Sequence, residues 1–196
     1  MVNDRSGIDF GMYRMPTFRR RYIKRMNLSD ARDLRDYVKL LEDEPDQLDL
    51  LVTDLLIGVT SFFRDPQAFR VLDEKSVQPL FQREDNSGIR CWVAGCSNGM
   101  EAYSIAILMQ SAVERYGGGY TIFATDISDS ALASASRGVY TEKQYKTVPE
   151  EYRKYFSPVD RGWRISRDIR ARMVFSHHDI LSDPPSPIST LSAAGT

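Results

Sequence analysis

The feature that most constrains this chain is a strand that enters a helix through a loop of very small residues. Residues 90–94 are predicted to form a short strand, apolar from Cys91 onward; residues 95–99 are Gly-Cys-Ser-Asn-Gly, and an apolar helical pattern runs from Glu101 to about residue 115. A second strand is expected at 120–125, followed by a helix that Ser128 caps and Gly138 ends. Short connections between alternating strands and helices predict a parallel sheet in a doubly wound α/β domain, with a third strand at 173–175.

The loop and the residues beside it indicate the kind of ligand. Small residues let a ligand lie against the backbone, and the start of the following helix presents unpaired N–H groups. Asp126 ends the second strand, where a carboxylate can hold ribose hydroxyls. Glu101 would repel a pyrophosphate but suits an amine, and neither the dinucleotide fingerprint nor the phosphate loop of nucleotide-binding proteins is present. These features fit S-adenosylmethionine, although a tight turn with solvent-facing acids would give the same spacing.

Composition excludes several classes of protein. The chain has 196 residues, with 26 Lys+Arg against 27 Asp+Glu, so a globally basic nucleic-acid binder is disfavoured. No apolar run approaches the roughly 20 residues that span a bilayer, and no secretory signal pattern opens the chain. Cys91 and Cys96 have no metal-type partners around them. We therefore expect a cytoplasmic protein with no metal site, no membrane insertion and no nucleic-acid partner.

The first part of the chain has a helical pattern. Four helices are expected. The first covers 17–26, the second begins after a cap at Ser29, and the third runs from Pro45 to a stop at Gly58. The fourth begins at Asp65-Pro66, a cap followed by a first-turn proline. The polar stretch 82–88 is the predicted domain boundary. The domains predicted from these patterns are a helical domain at 7–81, an α/β domain at 88–185 and a disordered tail at 186–196.

Four segments carry a resemblance to a known family: 54–69 (DLLIGVTSFFRDPQAF), 92–107 (WVAGCSNGMEAYSIAI), 124–140 (ATDISDSALASASRGVY) and, more weakly, 172–185. With them the chain resembles the chemotaxis protein-glutamate O-methyltransferases of the CheR family, particularly the methyltransferase part of CheB/CheR-type fusions. The resemblance implies a Rossmann-like domain that uses S-adenosylmethionine, preceded by a small all-helical domain. It also implies methyl transfer to glutamate side chains of chemoreceptors.

Carried over by position, the resemblance implies these cofactor contacts: Thr60, Arg64, Gly95, Glu101, Asp126, Asp179 and Ile180. Arg64 would bind the methionine carboxylate, since a planar guanidinium can donate two hydrogen bonds to it. Glu101 would hold the amino group and Asp126 the ribose. The pair Asp179-Ile180 would lie near the adenine, where the family has an asparagine in place of the aspartate.

The resemblance further implies that a basic helix faces the acidic methylation helices of a receptor. Its members are Arg19, Arg20, Arg21, Lys24 and Arg25. The alternatives are an ordinary solvated face and a nucleic-acid patch. A methylesterase or sensor domain, in the same or a separate chain, is a further candidate partner.

The sequence departs from the family at several other places, one of them Gly58, where many members carry an asparagine. Met100 replaces the first acid of a Gly-Glu-Glu, and the residues after Pro185 do not match the family's next strand. We therefore expect a C-terminally truncated chain with an incomplete sheet, whose family arginine and tyrosine of the reaction centre would lie beyond residue 196. No catalytic residue is assigned. The alternatives to the enzyme are an inactive module that binds cofactor or receptor, and a methyltransferase with another substrate.

Overall fold

A computed structural model of the chain describes residues 15–56, 60–86, 88–180, 183 and 191–194. The predicted helix stop at Gly58 and the first residues of the predicted helical domain, 7–14, lie outside these ranges. In the part of the chain that is described, no helix combines the length and apolarity needed to cross a membrane. The chain divides into two compact units, residues 1–58 and 59–196.

The first unit is helical, as predicted. Its described helices are α1 (Met15–Leu28), α2 (Leu34–Asp43) and α3 (Pro45–Leu56). Both α1 and α2 contact α3. Their apolar faces bury a core made of Tyr37, Leu41, Leu48, Leu51 and Leu55.

The cap of α2 differs from the prediction. Asp33 is the N-cap, and its carboxylate accepts a hydrogen bond of 2.9 Å from the N–H of Asp36. Ser29, the predicted cap, instead donates from Oγ to the carbonyl of Met26 at the end of α1. The prediction of Ser29 was wrong because the helical apolar stripe begins only at Leu34, and the residue directly before it is an equally good cap.

The second unit combines helices with two sheets. Its helical elements are α4 (Pro66–Leu72), a π-helical turn (Asp73–Val77), α5 (Gln78–Phe81), α6 (Met100–Tyr116), α7 (Asp129–Arg137), α8 (Glu142–Tyr145), a 3-10 turn (Glu150–Tyr155) and α9 (Arg167–Arg170). Its strands are β1 (Ile89–Ala94), β2 (Tyr120–Asp126), β3 (Val139–Tyr140), β4 (Phe156–Val159), β5 (Gly162–Ile165), β6 (Met173–His177) and β7 (Leu191–Ala194).

Three predicted helix signals are confirmed. The Asp65 carboxylate accepts from the N–H groups of Gln67 and Ala68, and Pro66 occupies the first turn of α4. Ser128 caps α7 through the N–H of Ala131, and Gly138 ends that helix with a φ of 60°. These signals were predictable because each acts within a few residues of its own position.

The segment 66–81 belongs to the α/β unit. Val77 and Phe81 are buried in the same core as the sheet and α6, and both the π-helical turn and α5 contact α6. The two compact units therefore meet at residues 58 and 59, whereas the polar stretch 82–88 predicts a boundary further along the chain. Short helices must bury their apolar faces on a larger element, and here that element is α6.

The parallel sheet has the strand order β6-β2-β1-β7. All three neighbouring pairs are parallel, with Val93 opposite Ala124 and Ala124 opposite Phe175. This confirms the predicted parallel α/β architecture. Because the strands are parallel, the loops that follow them lie at one edge of the sheet.

One strand lies in the segment expected to be disordered. Within 186–196, residues 191–194 form β7 and pair with β1, placing Ala193 opposite Val93. The prediction of disorder is corrected for these four residues. The free edge of β1 would otherwise leave N–H and C=O groups without partners, and β7 supplies them.

A second, antiparallel sheet was not anticipated. Its order is β3-β5-β4, and residues 160–161 form the turn between β4 and β5. Gly162 follows the turn with a φ of 135°, which a residue with a side chain rarely adopts. These strands have two to four residues each, too few to establish an alternating pattern in sequence.

Candidate cofactor site

Asp126 lies at the end of β2 and is held by the backbone. Its Oδ2 accepts a hydrogen bond of 2.7 Å from the N–H of Ser97, in the loop after β1. Its Oδ1 accepts one of 2.9 Å from the N–H of Ser128. Each carboxylate oxygen can accept more than one hydrogen bond. The side chain is therefore fixed in direction and retains the capacity to accept from the two hydroxyls of a ribose.

The loop 95–99 is anchored on several sides. The N–H of Cys96 donates to the carbonyl of Thr125 at 2.9 Å, and the Tyr140 hydroxyl donates to the carbonyl of Asn98 at 2.8 Å. Gly99 has a φ of 85°, and a Cβ there would lie 2.8 Å from Cβ of Ala135. Gly95 is exposed, with no atom within 4 Å of the position that its Cβ would take. The loop is thus packed at Cys96, Asn98 and Gly99 and open at Gly95. A ligand could therefore lie against the backbone at Gly95.

Glu101, in the first turn of α6, is half-buried. Burial raises the pKa of its carboxyl, and the positive charge of Arg64 acts in the opposite direction. The structure therefore brings the guanidinium of Arg64 into the electrostatic environment of Glu101. These are the two residues expected at the carboxylate and the amino group of one amino-acid moiety.

The segment that carries Thr60 and Arg64 is anchored by its two phenylalanines. Phe62 is 1% exposed and packs edge-on against Tyr140, with ring centroids 4.8 Å apart. The N–H of Phe63 donates to Ser104 Oγ at 3.1 Å. Thr60 is half-buried before this pair and Arg64 is exposed after it, so the anchor fixes the backbone on which both are carried.

Asp179 and Ile180 follow β6 at the same edge of the sheet as Asp126. The N–H of His178 donates to the backbone carbonyl of Asp126 at 3.1 Å, which holds this segment beside the end of β2. The N–H of Asp179 donates to Oδ2 of Asp183 at 2.8 Å. Ile180 is 51% exposed, so its apolar side chain is available to a ligand rather than used in the core.

Cys96 lies in the loop but is not a nucleophile. It is 2% exposed, and burial, with the nearby charges of Asp126 and Glu101, raises the pKa of its thiol to about 12. The thiol is therefore protonated at neutral pH, when only a thiolate would attack.

Three residues of the site were not predicted from the sequence. They are Ser97, which donates its N–H to Asp126, Ser104, which accepts from Phe63, and Tyr140, which holds the loop. No local signal marks them, since their partners lie 29 to 42 residues away in the chain. Only the folded arrangement could show these contacts.

The site lies where the strand order of the parallel sheet reverses. From β1 the chain proceeds outward through β2 to β6, and β7 lies on the other side of β1. Ligands of open α/β sheets bind at the carboxyl ends of the strands where the strand order reverses in this way.

The CheR methyltransferase SAM binding domain matches residues 58–191, and the CheR methyltransferase all-alpha domain matches residues 1–56. The chain belongs to the CheR methyltransferase family.

Individual relatives agree with this assignment. The chain is 30% identical over 179 residues to a chemotaxis protein methyltransferase of Listeria innocua, covering 90% of this chain and 67% of that protein. It is 26% identical over 189 residues to one of Klebsiella aerogenes, covering 93% and 63%. An uncharacterized 104.1 kDa protein of Rhodobacter capsulatus is 38% identical over 182 residues, 91% of this chain but only 19% of that protein. The chain therefore spans about two thirds or less of these relatives.

The basic residues of α1 in this CheR chain do not all have the same environment. Arg21 donates from Nη1 to the carbonyls of Asp54 and Leu55, at 2.6 and 2.7 Å, where α3 ends. The carboxylate of Asp54 lies 3.8 Å from Nε of Arg25 and 3.9 Å from Nζ of Lys24. By contrast, Arg19 and Arg20 are exposed. Three of the five residues thus contact the end of α3.

Proposed function

We propose that this chain binds S-adenosylmethionine at the carboxyl edge of its parallel sheet and methylates glutamate side chains of chemoreceptors. The observation that carries the proposal is the Asp126 carboxylate, oriented by the N–H groups of Ser97 and Ser128 where the strand order reverses. Membership of the CheR family supports it, as do the names of the Listeria and Klebsiella relatives.

The residues present fit the chemical groups of the cofactor. Asp126 accepts from the ribose hydroxyls, Arg64 donates to the methionine carboxylate, and Glu101 accepts from the amino group. Gly95 gives open backbone beside the ligand, and Thr60 contacts it from the anchored segment. Asp179 and Ile180 line the adenine side, where Asp179 can accept from the exocyclic amino group.

The reaction asks for little acid or base chemistry from the chain. When bound, S-adenosylmethionine supplies an electrophilic methyl group on a sulfonium. A glutamate with an ordinary pKa of about 4.3 is already ionised at neutral pH, so no general base is needed to create the nucleophile. The residues of this chain hold the ligand, orient it and limit the access of water, and such positioning can lower a barrier by about 7–11 kcal/mol.

The exposed part of α1 supports the proposed partner. Arg19 and Arg20 present positive charge, which complements the acidic surface of receptor methylation helices. Lys24, with 67% of its side chain exposed, adds to this face although it lies near Asp54. Because the proposed receptor segment is cytoplasmic, a cytoplasmic location is part of the same proposal. A methylesterase or sensor domain, in the same or a separate chain, is a further proposed partner.

The first experiment is calorimetric titration of the chain with S-adenosylhomocysteine. We expect binding by the unchanged chain and a loss of roughly 2–4 kcal/mol in Asp126→Ala, because charge-assisted hydrogen bonds to the ribose disappear. Asp129→Ala is the matched control, since Asp129 is an exposed acid three residues further along. Its affinity should stay within about twofold. Absence of binding by the folded, unchanged chain would contradict the proposal.

A transfer assay then tests the activity itself. The chain is incubated with S-adenosylmethionine labelled in its methyl group and with a receptor cytoplasmic fragment. Base-labile label in the receptor, absent when the receptor glutamates are replaced by alanine, supports a glutamate methyltransferase. Cofactor binding without incorporation identifies the chain as an inactive binding module.

A further inference from the structure

Phe63, the residue directly before Arg64, has a strained backbone. Its φ is 48°, in the left-handed region that bulky side chains rarely adopt. Such a conformation persists only when its surroundings impose it, and strained residues of this kind cluster at ligand sites. The residues in contact with Phe63 therefore explain why its backbone keeps this conformation.

Three contacts hold Phe63 in place. Its ring stacks on Tyr152, with centroids 5.0 Å apart and an interplanar angle of 11°. The ring also packs against Phe69 at 5.1 Å. Its N–H donates to Oγ of Ser104 at 3.1 Å. The two ring contacts fix the side chain, whereas the hydrogen bond fixes the direction of the backbone.

Ser104 is suited to this role because its hydroxyl is already oriented. It is fully buried, and its Oγ donates to the carbonyl of Met100 at 2.8 Å. With the hydroxyl hydrogen committed to the helix, the lone pairs are available to the N–H of Phe63. Ser104 therefore joins the backbone before Arg64 to the first turn of α6.

That first turn carries Glu101, three residues before Ser104 and hence near it on the helix surface. The Phe63 linkage consequently sets the backbone position of Arg64 relative to the helix that carries Glu101. The influence of the Arg64 charge on Glu101 agrees with this arrangement.

We propose that Ser104 is a positioning residue for the amino-acid end of the cofactor: through Phe63 it directs Arg64 towards the methionine carboxylate beside Glu101. This inference rests on the proposed function and deepens it. Ser104 itself does not touch the ligand in this proposal. Its effect is confined to groups that the ligand presents to Arg64.

The test compares two ligands in calorimetric titrations of the full chain. S-adenosylhomocysteine has the amino and carboxylate groups, whereas 5′-methylthioadenosine has the same nucleoside and thioether without them. Ser104→Ala should weaken binding of S-adenosylhomocysteine about tenfold, a loss that corresponds to about 1.4 kcal/mol. Binding of methylthioadenosine should change by less than about twofold.

A double-mutant cycle identifies the route. Arg64→Ala removes the carboxylate contact directly, so Ser104→Ala added to it should change S-adenosylhomocysteine affinity by less than about twofold. Three outcomes would overturn the inference. Ser104→Ala could weaken the affinity for both ligands equally, it could have its full effect in the Arg64→Ala background as well, or it could leave both affinities unchanged. Failure of the unchanged chain to bind either ligand would instead count against the proposed function.

Two further variants control for a general effect on the helix and for a failure of Ser104→Ala to fold. Ser111→Ala changes a serine further along the same helix and should leave both affinities unchanged. If Ser104→Ala does not fold, Ser104→Cys keeps a side chain of similar shape with a weaker acceptor and should show the same selectivity between ligands. Circular dichroism establishes folding before each titration.

Discussion

Two parts of the chain hold their charged residues differently: the carboxyl edge of the parallel sheet around Asp126, called here the cofactor edge, and the exposed basic face of α1 at Arg19 and Arg20. At the cofactor edge, backbone N–H groups orient Asp126 before any ligand is present. On α1, Arg19 and Arg20 are exposed, and long exposed side chains lose rotamer freedom when a partner orders them. A preorganised group loses little entropy on binding, whereas a flexible exposed one contributes mainly long-range attraction. Substitutions at the edge should therefore be severe and specific, and those on the face mild and dependent on salt.

The largest expected effect is on the rigidity of the loop after β1. Gly99→Ala introduces a Cβ 2.8 Å from Ala135 at a φ of 85°, so the free energy of unfolding should fall by about 3 kcal/mol. Gly95→Ala is the matched control, because its φ is also positive but its surroundings are open. It should cost only about 1 kcal/mol. Urea denaturation measures both, and equal losses would show that the loop is not packed as described.

The next effect concerns the ionisation of Glu101. Burial raises its pKa, and the amino group of the ligand needs the ionised form. S-adenosylhomocysteine affinity should therefore fall as the pH decreases through the pKa of Glu101, approaching tenfold for each pH unit below it. Calorimetry from neutral pH down to the ordinary carboxyl range of about pH 4.3 follows this loss. In Glu101→Gln the pH dependence should disappear; a retained dependence would assign it to another group.

Without ligand the same residue predicts the opposite trend. A carboxyl with a raised pKa binds its proton more tightly in the folded chain than in the unfolded chain. The unfolding free energy of the unchanged chain relative to Glu101→Gln should therefore increase as the pH falls from above the folded pKa towards the unfolded one.

A smaller effect separates two neighbouring arginines of α1. Arg21→Ala removes hydrogen bonds to the carbonyls of Asp54 and Leu55 and should destabilise the chain by about 1–2 kcal/mol. Arg20→Ala, at an exposed position, should change stability by less than about 0.5 kcal/mol. Thermal denaturation compares them, and similar losses would remove the distinction between structural and exposed residues on α1.

The smallest effect for each residue is expected at the exposed charges. Arg19→Glu with Arg20→Glu should leave stability unchanged and weaken receptor association by about 0.5 kcal/mol for each ion pair that the substitutions remove. Sedimentation with receptor at two salt concentrations tests this, because screening should reduce the difference. A difference that is independent of salt would contradict an electrostatic role for this face.

Local patterns were sufficient for much of the fold. The strand–loop–helix of residues 90–115, the caps Asp65 and Ser128 and the end of α7 at Gly138 all follow from interactions within a few residues. The position of Asp126 at a strand end was likewise predictable, since chain direction alone determines which edge it occupies. The misplaced cap of α2 shows that residue type alone is not enough, because Ser29 and Asp33 are both favoured N-cap residues and the start of the apolar stripe at Leu34 decides between them.

The sequence by itself determined the parallel α/β architecture and the residue types at the carboxyl edge, because apolar periodicity and capping are encoded locally. Tertiary structure alone decided that 66–81 join the α/β unit, that residues 191–194 pair with β1, and that Ser104 holds Phe63. Each of these depends on partners far away in the chain. The free energy of such contacts comes from burial and hydrogen bonds that exist only after the chain has closed upon itself.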